Sequence, residues 1–329
     1  MKQLLKQSMK QLLLMSTLLS LLLGITGCNS NDSKQPEIHI GYFNNITHAQ
    51  ALLMKAEGRL ETSLGDSATV TWTAFNAGPA EVEALFAGDI DIGYIGPVPA
   101  ITANVKSQGD IQILSGATKG GAILVKREGT DINSVEDLDG KIVAIPQLGN
   151  TQHLCLLNLL AEHGLAPVND GGTVTVAAVA NADVSNTMTN EDIDAALVPE
   201  PWGATLLSQN AELLMDYDII YYEGDYDVAV VVVRKDFMEE HPELVEQFLA
   251  EHEAATRRLN DNQAECLDII NQELENATGK SLDDAIITEA FTRIGISTEL
   301  NEASIQQFAV ISKEQGFIDE LPTEDLICR

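Results

Sequence analysis

Four short polar clusters hold the residues whose types and spacing suit chemistry. Gly41-Tyr-Phe-Asn-Asn-Ile-Thr-His48 brings Asn44, Asn45, Thr47 and His48 together behind an alternating stretch. Asp91-Ile-Gly-Tyr-Ile-Gly-Pro-Val-Pro99 sets Gly96 and Pro97 at a strand end, and Pro146-Gln-Leu-Gly-Asn-Thr-Gln152 carries Asn150, Thr151 and Gln152 into an apolar helix. Pro199-Glu-Pro-Trp-Gly203 supplies Glu200 and Trp202. Amides, hydroxyls, an imidazole, an indole and one carboxylate are groups for holding a small polar solute, not for turning it over. GxSxG, HExxH, the phosphate-binding P-loop and a GxGxxG after a strand are all missing. His48 and His153 could be imagined as a metal pair, but no third ligand clusters with them, so neither metal nor cofactor is expected.

Each cluster also has a purely structural use. Asn44 and Asn45 are turn formers and Thr47 is a helix cap. Gly96 eases tight strand–helix packing, or lets a ligand approach the backbone. Asn150 or Thr151 caps the helix behind it, yet a helix start without charge in its first turn is also an anion cradle. Glu200 either faces a ligand or turns away to pair with a base.

The elements that would position these clusters alternate. Ile38, Ile40 and Tyr42 give a strand over 37–43, and Ala49, Leu52, Leu53, Ala56 and Leu60 a helical face from about 48 to 64. Strands follow at 70–74 and 90–96, with helices opened by Gly78-Pro79 and by Pro97. Further strands are expected at 111–114 and 122–125. The pattern then restarts with strands at 142–145, 174–179 and 195–198 and helices at 150–163, 183–189 and 202–208. Asp227 to Val233 is the most β-branched run, and everything after Arg234 reads as helical. Successive βα units predict an α/β protein with parallel sheets, and ligands in such sheets sit outside the strand ends. The domains expected are one lobe from 37–122 plus 226–329 and a second, inserted lobe over 123–225. Two chain crossings between lobes make a hinge with a cleft beside it.

In that order, GYFNNITHA, FNAGPAEVEALFAGDIDIGYIGPVPA, VAIPQLGNTQ, DAALVPEPW and VVVVRKDF resemble the nitrate/sulfonate/taurine family of ABC-transporter substrate-binding proteins. The resemblance covers residues 37 to about 260. It implies a type II periplasmic-binding-protein fold, two lobes closing on a small solute with a two-segment hinge. It also implies that Asn44, Asn45, Thr47, His48, Gly96, Pro97, Asn150, Thr151, Gln152, Glu200 and Trp202 face the cleft. The activity implied is capture of an organic anion or zwitterion, such as an aliphatic sulfonate, taurine or nitrate. A monomeric binding protein would deliver it to a membrane permease and ATPase. The same fold family holds thiamine-pyrimidine synthases, which carry a Cys-rich iron motif that this chain lacks. Binding of a thiamine-pyrimidine precursor or other heterocycle remains the alternative, with Glu200 and Trp202 around the ring. If Glu200 lines the site, a zwitterion suits it better than a bare dianion.

The chain has 329 residues, with 19 Lys and Arg against 50 Asp and Glu, a net charge of −31. Such acidity repels phosphate backbones, so no nucleic-acid partner is expected. Lys2, Lys6 and Lys10 precede an apolar run that ends in Ile25-Thr26-Gly27-Cys28, which looks like a lipoprotein signal over 1–27 with acylation (a palmitate-type anchor) at Cys28. Residues 28–36 read as a tether, and the folded part as working outside the cytoplasm on a lipid anchor. Without residues 1–27, 16 basic side chains face 50 acidic ones, a charge of −34. Cys155 reads as a buried apolar residue, and a Cys266–Cys328 bridge is left open.

Overall fold

The computed structural model describes residues 35–209 and 211–328. Two mixed sheets organise them, each built on three parallel strands. The first joins β1 (Glu37–Phe43), β2 (Thr69–Phe75), β3 (Ile92–Ile95) and β4 (Ile111–Gly120). The second holds β5 (Ala122–Arg127), β6 (Ile142–Ile145), β7 (Thr175–Ala178), β8 (Ala195–Pro199) and β9 (Ala211–Met215). β10 (Asp227–Arg234) and β11 (Ile294–Ile296) return to the first. The strand orders are β11-β4-β10-β3-β1-β2 and β7-β6-β8-β5-β9. β1 runs parallel to β2 and β3, whereas β10 runs antiparallel to both β3 and β4. Likewise β6 is parallel to β7 and β8, and β5 antiparallel to β8 and β9. The strands that follow the crossings are therefore the antiparallel ones, a feature the βα pattern alone does not carry.

Burial explains the long apolar runs. Helices cover both faces of the first sheet, so β10 needs no polar alternation. Val228, Val230 and Val232 pack into one core with Val98 and Ile101, while Ala229, Val231 and Val233 pack into another with Leu52 and Phe248. Some elements depart from the sequence expectations. The helix expected over 48–64 is a short 3-10 turn, then Ala49–Glu57, then Arg59–Leu64, because Gly58 turns left-handed at φ 56°. β9 and β11 were not expected, and β11, three residues at a sheet edge, interrupts a segment read as all helix. Cys155, Cys266 and Cys328 are all free thiols.

The chain passes from one sheet to the other at Gly120-Gly121, with φ of +67° and +75°. A Cβ at Gly121 would lie 2.4 Å from Ile294 Cγ2, so the site excludes a side chain on two grounds. The return crossing at Tyr222, Glu223 and Gly224 is left-handed as well. The two are tied where the Gly120 amide donates to the Tyr226 carbonyl at 3.0 Å. The expected signal, Cys28 and all but the last two residues of the tether lie outside the described residues. Among the described residues no helix is long and apolar enough to cross a membrane.

One core residue is out of character. Glu81 is fully buried, and neither carboxylate oxygen has a hydrogen-bond partner. It occupies the space left by Gly41 and Gly93, register partners in β1 and β3, where added Cβ atoms would come within 2.1 and 2.2 Å of Oε1. Burial raises its pKa well above the usual carboxylate range. The unfolded state ionises first, so this group's contribution to stability is present at acid pH and lost as pH rises. Glu81→Gln should remove that dependence. Urea melts of the two proteins should diverge in favour of the variant between pH 5 and 8, by up to about 1.4 kcal/mol per pH unit.

Candidate functional site

The loops after β1, β2, β3, β6, β7 and β8 converge on one cleft of about 360 Å³ between the sheets. After β1, Phe43, Asn45, Thr47 and His48 line it. After β2 and β3 come Asn76, Ala77, Gly78, Gly96 and Pro99, and from the second sheet Pro146, Asn150, Thr151, Gln152, Asn181 and Pro199. No Lys, Arg, Asp or Glu is among the lining residues. Three helices, Gly78–Ala87, Pro97–Lys106 and Thr151–Glu162, begin at this cleft. Prolines 97 and 99 strip two N–H groups from the second of them. Thr151–Glu162 keeps its own, and has no acid in its first turn.

Side chains are fixed there by neutral hydrogen bonds. His48 Nδ1 accepts the Phe43 amide at 3.1 Å, and its ring stacks on Phe43 with centroids 4.3 Å apart. Burial pushes its pKa down to about 3, so the ring is neutral and its proton sits on Nε2 as a donor. His153 repeats the device, with Nδ1 accepting the Gly149 amide at 3.0 Å and burial lowering its pKa to about 4. Asn150 does cap its helix, taking the His153 amide on Oδ1 at 2.8 Å, while its Nδ2 donates to Gln152 Oε1 at 3.0 Å. That leaves the Gln152 amino group to serve a solute. Thr151 Oγ1 and Asn181 Oδ1 are buried in the cleft wall without a partner.

Of the residues expected from the sequence, Asn45, Thr47, His48, Gly96, Asn150, Thr151 and Gln152 meet in this cleft. Asn44 does not; it lines a second, outer cavity, and Pro97 lies behind Gly96 in the helix. Trp202 lines the outer cavity, with Nε1 donating to Asn45 Oδ1 at 2.7 Å from the opposite sheet. Glu200 turns away: it is fully buried, Oε1 takes Arg293 Nη1 at 3.0 Å and Oε2 takes the Ala204 amide at 2.8 Å. Burial raises its pKa against the pull of the Ala204 amide and Arg293. The expectation that it faces a solute is therefore replaced by an ion pair whose base lies 93 residues along the chain. Lys119, another base near the cleft edge, is bonded to Asp225 at 2.9 Å. Asn76 and Asn181 were missed as lining residues. Asn76 stands in the FNAGPAEV stretch that carries the family resemblance, whereas Asn181 sits in Ala-Asn-Ala-Asp, which has no pattern to flag it.

Two α/β sheets bridged by two crossings, with loops from both converging between them, make a two-lobed α/β fold with a cleft between the lobes. The fold matches that of the alkanesulfonate-binding protein SsuA from Xanthomonas axonopodis pv. citri bound to MOPS, with a TM-score of 0.75 and 22% identity over 89% of this chain and 98% of that one. The chain belongs to the NMT1-like family, whose signature matches residues 31–271. It is 35% identical to the taurine-binding periplasmic protein of Escherichia coli K12 over 184 residues, 55% of this chain and 54% of that protein. A putative aliphatic sulfonates-binding protein of the same organism is 28% identical over 60% of each chain. The matches thus span little more than half the length of these relatives, which are named for binding and not for catalysis.

Gly96 belongs to one lobe and Thr151 to the other, and a Cβ at Gly96 would lie 2.4 Å from Thr151 Oγ1. Gly96→Ala should hold the lobes apart and break the Trp202–Asn45 bond. With Trp72 replaced by Phe, leaving Trp202 as the one tryptophan, the fluorescence of Gly96→Ala should shift to the red. Adding Thr151→Ala should reverse much of that shift; an unchanged spectrum in Gly96→Ala would refute this closing contact.

Proposed function

We propose that the protein is the solute-binding component of an ABC importer and captures a small organic sulfonate, taurine or nitrate-like anion, without chemistry, by closing two lobes on it. The observation that carries this reading is a cleft between the lobes lined only by uncharged residues, polar donors among them. A bare carboxylate there would repel an anion, and none is present among the lining residues. The amides of Thr151 and Gln152, the Gln152 amino group, the Thr151 hydroxyl and the His48 ring can share the three oxygens of a sulfonate. In a dry site such dipoles count for more than they do in water. A neutral donor set also explains how so acidic a protein can hold an anion. The heterocycle alternative leaned on Glu200 and Trp202 flanking a ring, and neither lines the inner cleft.

Calorimetry with extensively dialysed protein and methanesulfonate, taurine and nitrate tests this. Micromolar binding of at least one of them is expected, and binding of none would sink the reading. Glu200→Gln should cost about 3 kcal/mol of stability, as expected when one partner of a buried pair is removed. It should leave the ratio of taurine to ethanesulfonate affinity within twofold, because the carboxylate stands outside the cleft.

We further propose that the protein works outside the cytoplasm on a lipid anchor at Cys28, beside a permease and its ATPase. The basis is the Lys-rich, apolar, Gly-Cys leader. Radiolabelled palmitate should enter the full chain made in a bacterial host and should not enter Cys28→Ser. Equal labelling of both would remove the anchor.

A further inference from the structure

The helix start that carries Thr151 and Gln152 to the cleft is secured by its own third residue. The His153 amide donates to Asn150 Oδ1 at 2.8 Å, and His153 Nδ1 accepts the Gly149 amide at 3.0 Å. The pair works like a capping box, with an imidazole where a Glu or Gln usually stands and the residue before the cap as its donor. A Glu there would bring negative charge to a helix start suited to an anion, and a neutral ring does not. The device makes one demand. Nδ1 can accept only while the ring is neutral and its proton sits on Nε2.

The neighbour of that ring comes from far along the chain. Phe317 follows the helix Glu302–Glu314 in a turn where its amide donates to the Ser312 carbonyl at 2.7 Å. Its ring lies against that of His153, with centroids 5.1 Å apart and planes at 32°. Phe317 packs on an apolar core in which Ile305 and Phe308 of this helix join Ile101 of the first lobe and Leu156 and Leu159 of the second. The ring is therefore held from behind by packing on both lobes. It also lies beyond residue 271, where the family signature ends. Burial is the main cause of the low pKa of His153, with Asp170 pulling the other way.

Resting on the anion-capture reading above, we infer that Phe317 is a positioning residue for solute binding. By lying against the His153 ring it keeps the Nδ1 lone pair on the Gly149 amide, and so holds Thr151 and Gln152 in the orientation that receives an anion. A segment outside the region shared with the family thus sets the geometry of a loop inside it.

Nitrogen NMR of extensively dialysed, labelled protein at pH 7 reads the His153 ring directly, with His153→Gln to assign its signals. The wild-type ring should show one neutral tautomer, protonated on Nε2. In Phe317→Ala the signals should average between the two tautomers, and the Gly149 amide should exchange with solvent about tenfold faster. Methanesulfonate affinity by calorimetry should fall about fivefold, the worth of roughly one hydrogen bond. Phe317→Tyr keeps the ring and should match the wild type in all three readouts. Should Phe317→Ala fail to fold, Phe317→Leu removes the flat ring and is read in the same way. A purely structural role would lower the melting temperature and leave the tautomer signals and Gly149 exchange unchanged, which would overturn the inference. Altered signals with methanesulfonate affinity still at the wild-type level would overturn it as well. If the wild-type protein binds none of methanesulfonate, taurine and nitrate, the capture reading itself falls and this inference with it.

Discussion

Arg293 holds three carboxylates at once, and the layout of the site depends on it. Its guanidinium bonds Glu200 at 3.0 Å, Asp216 at 3.1 Å and Glu289 at 2.8 Å, with only 7% of the residue exposed. Glu200 and Asp216 belong to the second lobe and Glu289 to the C-terminal helices. The cluster sits at the crossing, where the Glu200 amide also bonds the Gly121 carbonyl at 2.8 Å. Without the guanidinium, Glu200 would be an uncompensated buried charge beside the solute cleft, a state costing several kcal/mol. With it, the one acid among the residues expected to face the cleft is withdrawn to the crossing, and the lining is left uncharged.

Neutrality in turn fits a closing mechanism. A solute can shift the balance between open and closed lobes only by interacting better with the closed one. Here the donors come from both sides: His48 and Asn45 from the first lobe, and Thr151, Gln152 and Asn181 from the second. Gly96 sets how near they come, since the wall opposite is the Thr151 hydroxyl. His48 and His153 use the same local bond, an imidazole nitrogen accepting a nearby backbone amide, to fix the loops around these donors. Their low pKa values keep the rings uncharged at neutral pH, so the cleft does not acquire positive charge as pH moves through the ordinary histidine range.

Much of this was legible in the sequence where the cause is local. Alternation at Ile38, Ile40 and Tyr42, Pro at the helix starts and the unbroken valines of β10 each specify an element through its neighbours. Strand ends then follow, and with them most of the cleft: Asn45, Thr47, His48, Gly96 and Asn150 to Gln152 all lie within a few residues of one. What escaped depends on distant partners. Glu200 was read with Trp202 and Pro199 because they are adjacent, but its fate is decided by Arg293. Asn44 and Asn45 are identical in type and separate at a turn, one to each cavity, and nothing in residue type distinguishes them. β11 is too short for periodicity to register, and exists because β4 continues to Gly120 and offers it an edge.

The neutral cleft has a consequence for how such a protein can change over generations. Its lining groups are main-chain amides, uncharged side chains and a ring kept neutral by burial, while the acidic side chains among the described residues are at least partly exposed apart from Glu81, Asp91, Glu200, Asp227 and Glu273. Recognition and surface charge are therefore physically separate. A lineage could add or shed surface acids to suit the salinity around it with little effect on what the cleft accepts.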